Sequence, residues 1–91
     1  MQLKWTSKAS SDLVRLHEFL VKVNTQAAAR TVQSLVAAPK SLLEHPYIGE
    51  KLEEFDPREV RRILVGHYEM RYELLNNTIY ILRLWHTRES R

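Results

Sequence analysis

The chain contains no cysteine, and only two glycines and three prolines among 91 residues. Without cysteine there is no disulfide framework, thiol nucleophile or cysteine-ligated zinc, a composition suited to a reducing compartment. Gly49 and Gly66 alone exclude a glycine-rich phosphate loop. So few glycines and prolines leave little linker, and order is expected nearly throughout. Apolar runs fall far short of the about 20 residues that cross a bilayer, and the N-terminus shows no charged-then-apolar leader pattern. A cytoplasmic protein without a membrane partner is expected. Lysine is missing beyond Lys51.

What is present is unevenly distributed. Lys4, Lys8, Arg15, Lys22, Arg30, Lys40 and Lys51 are balanced by Asp12, Glu18, Glu44, Glu50, Glu53, Glu54 and Asp56, whereas from Arg58 on seven arginines meet only Glu59, Glu69, Glu73 and Glu89. The net charge of +3 is therefore that of the C-terminal third. Such modest basicity is compatible with an acidic protein partner or with RNA. Arginine adds planar, weakly hydrated guanidinium groups that pair bidentately with carboxylate or phosphate. A chain of this length makes one domain, residues 1–91, burying roughly 60–65% of its unfolded surface.

Gln2 to Trp5 reads as a short strand, after which Thr6 and Ser7 can cap a helix from about Lys8. In that helix Leu13, Leu16, Leu20 and Val23 form an apolar stripe with Phe19 beside it. Asn24 is expected to end it and Thr25 to cap the next helix, giving an antiparallel hairpin. The second stripe is Ala28, Val32, Leu35 and Leu42, and Pro39 should kink or split its helix. His45-Pro46-Tyr47-Ile48-Gly49 then ends the helical part.

Glu50 to Glu59 reads as an acidic, irregular connection and Val60 to Val65 as a strand. Next, Tyr68, Met70, Tyr72 and Leu74 alternate with His67, Glu69, Arg71 and Glu73, predicting one buried face and one wet face. Asn76-Asn77 tolerates the positive φ of a tight hairpin turn. Ile79 to Trp85 is nearly continuous in apolar residues, as a central strand buried on both faces would be. Arg83 is its exception. The order βααβββ makes this an α+β domain: an N-terminal helical hairpin packed on a small, mainly antiparallel twisted sheet, with the first strand at its edge.

Enzyme motifs are scarce. No histidine pair has helical zinc-site spacing and no serine sits in a nucleophile elbow, so neither metal nor cofactor is expected. His17 and His45 read as ordinary. His86, ending an apolar strand between Trp85 and Arg88, is either a strand-end histidine bonded to a nearby loop or a proton-transfer group. Arg61 and Arg83 are expected on one sheet face, where with Arg71 or Arg88 they would form a concave basic site; the alternative is internal pairing of Arg61, Arg62 and Arg71 with Glu59, Glu69 and Glu73.

Ala27-Ala28, Leu43-Glu44-His45-Pro46-Tyr47-Ile48-Gly49, Val60-Arg61-Arg62-Ile63-Leu64-Val65, Tyr68-Glu69-Met70-Arg71-Tyr72 and Ile81-Leu82-Arg83-Leu84-Trp85-His86 together resemble the ParE branch of the RelE/ParE toxin superfamily. The resemblance runs from Trp5 and Asp12-Leu13 to the C-terminal strand, carried by order and spacing rather than by one motif. It implies the toxin of a type II toxin–antitoxin pair, of the kind tied to plasmid stabilisation and growth arrest. A ParD-like antitoxin with an acidic C-terminal segment would bind it as a hetero-oligomer. ParE-like members are associated with inhibiting DNA gyrase and RelE-like members with ribosome-dependent mRNA cleavage.

Were the chain a nuclease, Arg61, Arg83 and His86 would supply the site. By resemblance, however, Glu69 stands where some nucleases of the superfamily place an arginine, and no tyrosine follows Tyr80. These departures favour gyrase binding, with mRNA cleavage or a degenerate toxin retaining only antitoxin binding as alternatives. The expected binding residues are Leu16, Leu20 and Val32 on the hairpin and Arg61, Arg71, Arg83, His86 and Arg88 on or beside the sheet.

Overall fold

The computed structural model describes residues 1–89. In chain order the elements are β1 (Gln2–Trp5), α1 (Ser7–Val21), α2 (Thr25–Ala37), α3 (Lys40–Glu44), β2 (Glu50–Lys51), a 3-10 turn (Glu53–Phe55), β3 (Glu59–Val65), β4 (Tyr68–Leu75) and β5 (Thr78–His86). The strands form one sheet in the order β1-β5-β4-β3-β2. β1 runs parallel to β5 and every other neighbouring pair is antiparallel. The α+β arrangement matches the expectation, with one addition: the acidic connection holds a two-residue strand and a helical turn.

Local chemistry explains the boundaries. The Thr6 hydroxyl accepts from the Ala9 N–H at 3.2 Å and donates to the Ile81 carbonyl at 2.8 Å, so the residue that starts α1 also anchors it to β5. Asn24 caps α2, accepting from the Ala27 N–H at 3.0 Å, rather than ending α1, which stops at Val21. Pro39 separates α2 from α3 as its missing N–H demands. Asn76 and Asn77 take φ of 51° and 58°, the two positive angles of a tight hairpin turn.

Ala9, Leu16, Leu35 and Leu42 from the helices meet Met70, Tyr72, Ile79, Ile81 and Leu84 from the sheet in the core. Each large apolar side chain buried there contributes about 1.5–3 kcal/mol. Phe19 and Val23 leave the predicted stripe: they are 65% and 76% exposed, while Asp12 takes a buried position on α1.

One irregularity decides what the sheet presents. Arg71 lies opposite Arg83 but Tyr72 lies opposite Ile81, so Leu82 is an extra residue in β5. Such a bulge reverses the alternation along its strand. Ile79 and Ile81 face the helices before it, and Leu84 and His86 after it. Arg83 and Trp85 thereby turn to the outer face.

Candidate functional site

Strand pairing places Arg62, Arg71 and Arg83 in one row across the outer face, since Arg62 is the cross-strand partner of Arg71 and Arg71 of Arg83. Three like charges side by side would repel. Carboxylates between and beside them remove the conflict. Glu69, 1% exposed, accepts from Arg62 at 3.1 Å and from Arg71 at 3.0 Å. Glu73 takes two bonds from Arg58, at 3.0 and 2.8 Å. That pairing, more than burial, holds the Glu73 carboxyl below its ordinary range. The face predicted to be wet thus buries both its glutamates.

Trp85 completes the row. The Arg71 guanidinium lies 4.7 Å and that of Arg83 5.8 Å from its ring centre, and Arg71 also lies 5.6 Å from the Phe55 ring. Each such contact adds about 0.5–2 kcal/mol and positions a guanidinium without consuming all its donors. The surface is basic and aromatic, but internally satisfied.

Arg83 is held from the other direction by Asp12 of α1. β1 ends at Trp5, so among the described residues the edge of β5 from Leu82 to His86 has no strand beside it, and side chains take the strand's place. Thr6 Oγ1 donates to the Leu82 carbonyl at 3.2 Å, Asp12 Oδ2 accepts the Leu84 N–H at 2.9 Å, and Arg15 donates to the Leu84 carbonyl at 3.2 Å. Asp12 also receives Arg83 Nε at 2.8 Å. Burial pushes the Asp12 carboxyl up, but Arg83, the Leu84 N–H and Arg15 together outweigh it, leaving it below the usual carboxylate range. Asp12 escaped sequence reasoning; the available signal was a lone carboxylate at a position where α1 faces inward.

Arg61 lies elsewhere. Opposite Tyr72 on the helix-facing side of the sheet, it donates to Glu59 at 2.8 Å and to the carbonyls of Tyr47 and Gly49 at 3.0 and 2.7 Å. The expectation that Arg61 and Arg83 share a face is therefore not met. Every second residue of β3 faces the core, and the bulge sends Arg83 outward.

His86 stands apart from both. Its ring packs edge-on against Tyr68 at 5.2 Å and stacks on His67 at 6.0 Å, and its Nδ1 accepts the Arg88 N–H at 3.1 Å. With Arg15, Leu16, Phe19, Leu20, Tyr68, Arg88 and Glu89 it lines a groove of about 540 Å³. The groove is apolar at its floor, and at its rim Glu89 is engaged by Arg15 at 2.6 Å and by the His86 N–H at 3.0 Å, which leaves Arg88 as the excess charge. Leu16 and Leu20 belong to this groove. Val32 does not line it. Among the described residues no group of three or more histidines and acids could hold a metal ion, and no helix is long and apolar enough to cross a membrane.

Comparison with known proteins agrees with this architecture. Residues 3–91 match the family model described as the ParE toxin of the type II toxin–antitoxin system parDE. Toxin RelE1 of Caulobacter vibrioides is 37% identical over 86 residues, covering 92% of this chain and 90% of that protein. Toxin RelE2 of the same organism is 31% identical over 85 residues, covering 93% of each. Among solved structures, a chain of the chromosomal ParDE system from P. aeruginosa superposes with a TM-score of 0.77 at 27% identity, covering 94% of this chain and 95% of that one. The chain belongs to the ParE toxin family of type II toxin–antitoxin systems.

Proposed function

We propose that this toxin acts by binding, with DNA gyrase as its target, and that a cognate antitoxin neutralises it in the cytoplasm. The observation that carries the reading is the engagement of the outer-face arginines by Glu50, Glu69 and Asp12. Cleaving RNA needs a base for the 2′-hydroxyl, a cation for the crowded phosphate and an acid for the leaving oxygen, all within reach of one phosphodiester. Here Arg61 and Arg83 lie on opposite faces of the sheet and His86 lines a groove against α1. A buried carboxylate between Arg62 and Arg71 repels the phosphate those arginines would otherwise attract. A protein target, which offers both charges and apolar surface, suits the Arg–Trp face better.

The groove beside α1 suits the antitoxin. Its apolar floor accepts the buried stripe of an amphipathic helix, and Arg88 at the rim suits an acidic residue flanking that stripe. The resulting assembly is a hetero-oligomer. Gyrase-dependent supercoiling assayed with purified toxin tests the target: dose-dependent inhibition, relieved by the antitoxin, is expected. Unchanged supercoiling at saturating toxin removes gyrase from the account.

A further inference from the structure

The opposite edge of the sheet is open. β2 pairs with β3 only through Glu50↔Arg62 and Lys51↔Arg61, so among the described residues Ile63, Leu64 and Val65 have β4 on one side and no strand on the other. The cause is the turn ahead of β2. Tyr72 is fully buried, and its hydroxyl accepts the Gly49 N–H at 3.0 Å while donating to the Pro46 carbonyl at 2.8 Å. A Cβ at position 49 would stand 2.5 Å from that hydroxyl and 2.7 Å from the Arg62 carbonyl, so only glycine passes here. Pinned this way, the chain swings off the sheet where it would otherwise continue beside Leu64.

Val65 and Tyr68 close the two-residue turn over Gly66 and His67, so they and every second pair from them bond to each other. Leu64 falls between such pairs, and its N–H and C=O face the open side. Its side chain is 63% exposed, as is that of Ile48 at 66%. Between this edge and the helices lies a groove of about 760 Å³ whose walls include Ala37, Ala38, Ile48, Ile63 and Val65.

We propose that this edge takes a short, extended, uncharged apolar segment of a partner protein as a sixth strand beside Leu64, one side chain of the segment resting among Ala37, Ala38 and Ile48. A helix cannot use the site, because its own backbone groups are already bonded. The open stretch is three residues, roughly 10 Å, which limits the paired part to about three or four residues. Charge is not sought: Arg62, at the end of the open stretch, is satisfied by Glu50 at 2.6 Å and Glu69 at 3.1 Å. A second copy of this chain does not fit. Antiparallel pairing of two β3 edges about Leu64 sets Gly66 of one copy opposite Arg62 of the other, where Glu50 already lies. The inference is independent of what the toxin acts on.

The test is amide NMR of the labelled full chain titrated with a neutral, acetylated and amidated Val-Thr-Val-Thr-Val peptide. Expected are shifts confined to Ala37, Ala38, Ile48 and residues 63–65, with the Leu64 amide exchanging roughly tenfold more slowly. Leu64→Pro removes the outward N–H while leaving the β4 ladder intact, and it abolishes the response. Ala37→Arg fills the groove without touching the edge backbone and weakens peptide binding at least about tenfold, which keeps the test decisive should the proline variant fail to fold. Shifts centred instead on the α1 groove, no shift at millimolar peptide, or an unaltered response in both variants overturns the proposal. So do concentration-dependent shifts at Leu64 without peptide, which would mark a second copy as the occupant.

Discussion

Replacing Asp12 by alanine removes an acceptor that serves three partners at once: Arg83, Arg15 and the Leu84 N–H. The carboxylate is 6% exposed, whereas Arg83 and Arg15 are 45% and 46% exposed and regain water when released. The cost therefore falls short of the about 3–5 kcal/mol for breaking a fully buried pair. The orphaned Leu84 N–H costs about 1–3 kcal/mol, and the lost charge-assisted bonds, discounted for exposure, add about 1. A total of about 2–4 kcal/mol is a large share of a stability on the order of 5–15. Urea denaturation followed by circular dichroism reads it directly, with Asp12→Asn, which keeps one acceptor for Leu84, losing about 1–2 kcal/mol. Less than about 0.5 kcal/mol lost in the alanine variant would refute the reasoning, since that is the scale of an ordinary surface change.

Acid should act through the same group. Asp12 and Glu73 are held below their ordinary pKa values, so their stabilisation is complete above about pH 4–5 and is lost as pH falls through the depressed folded values; Asp12→Ala should flatten the acid limb of a stability–pH curve. Tyr72→Phe strands the Gly49 N–H and the Pro46 carbonyl and should cost about 1–3 kcal/mol by denaturation. Asn77→Gly, at φ of 58°, should raise stability by about 0.5 kcal/mol by relieving a side chain in left-handed backbone. Glu69→Gln withdraws the charge shared by Arg62 and Arg71 and should strengthen non-specific RNA binding severalfold at low salt, without conferring cleavage, as read by fluorescence anisotropy and gel analysis.

The fold was legible where a residue acts locally. Thr6, Pro39 and the Asn76-Asn77 turn each state their role through backbone preference, and the structure follows them; the alternation of Tyr68 to Leu74 states the strand and its inner face, but not that Glu69 and Glu73 on the other face are buried. The site was less so, because its logic is non-local. Leu82 reads as one more apolar residue, yet as the extra residue of a bulge it sends Arg83 and Trp85 outward and separates Arg83 from Arg61. Asp12 entered only the charge balance and the family resemblance. Only the gap where β1 stops short shows that it substitutes for a strand at Leu84. Phe19 and Val23 fit the helical period but lie where nothing covers them.

The proposal on which the rest depends is that a toxin whose outer-face arginines are engaged by its own carboxylates acts by binding its target rather than by cutting RNA. Primer extension on mRNA translated with the purified toxin tests this most directly. Full-length extension products at saturating toxin are predicted, identical to those without it. Cuts at fixed positions within codons, lost on His86→Ala, would contradict the account.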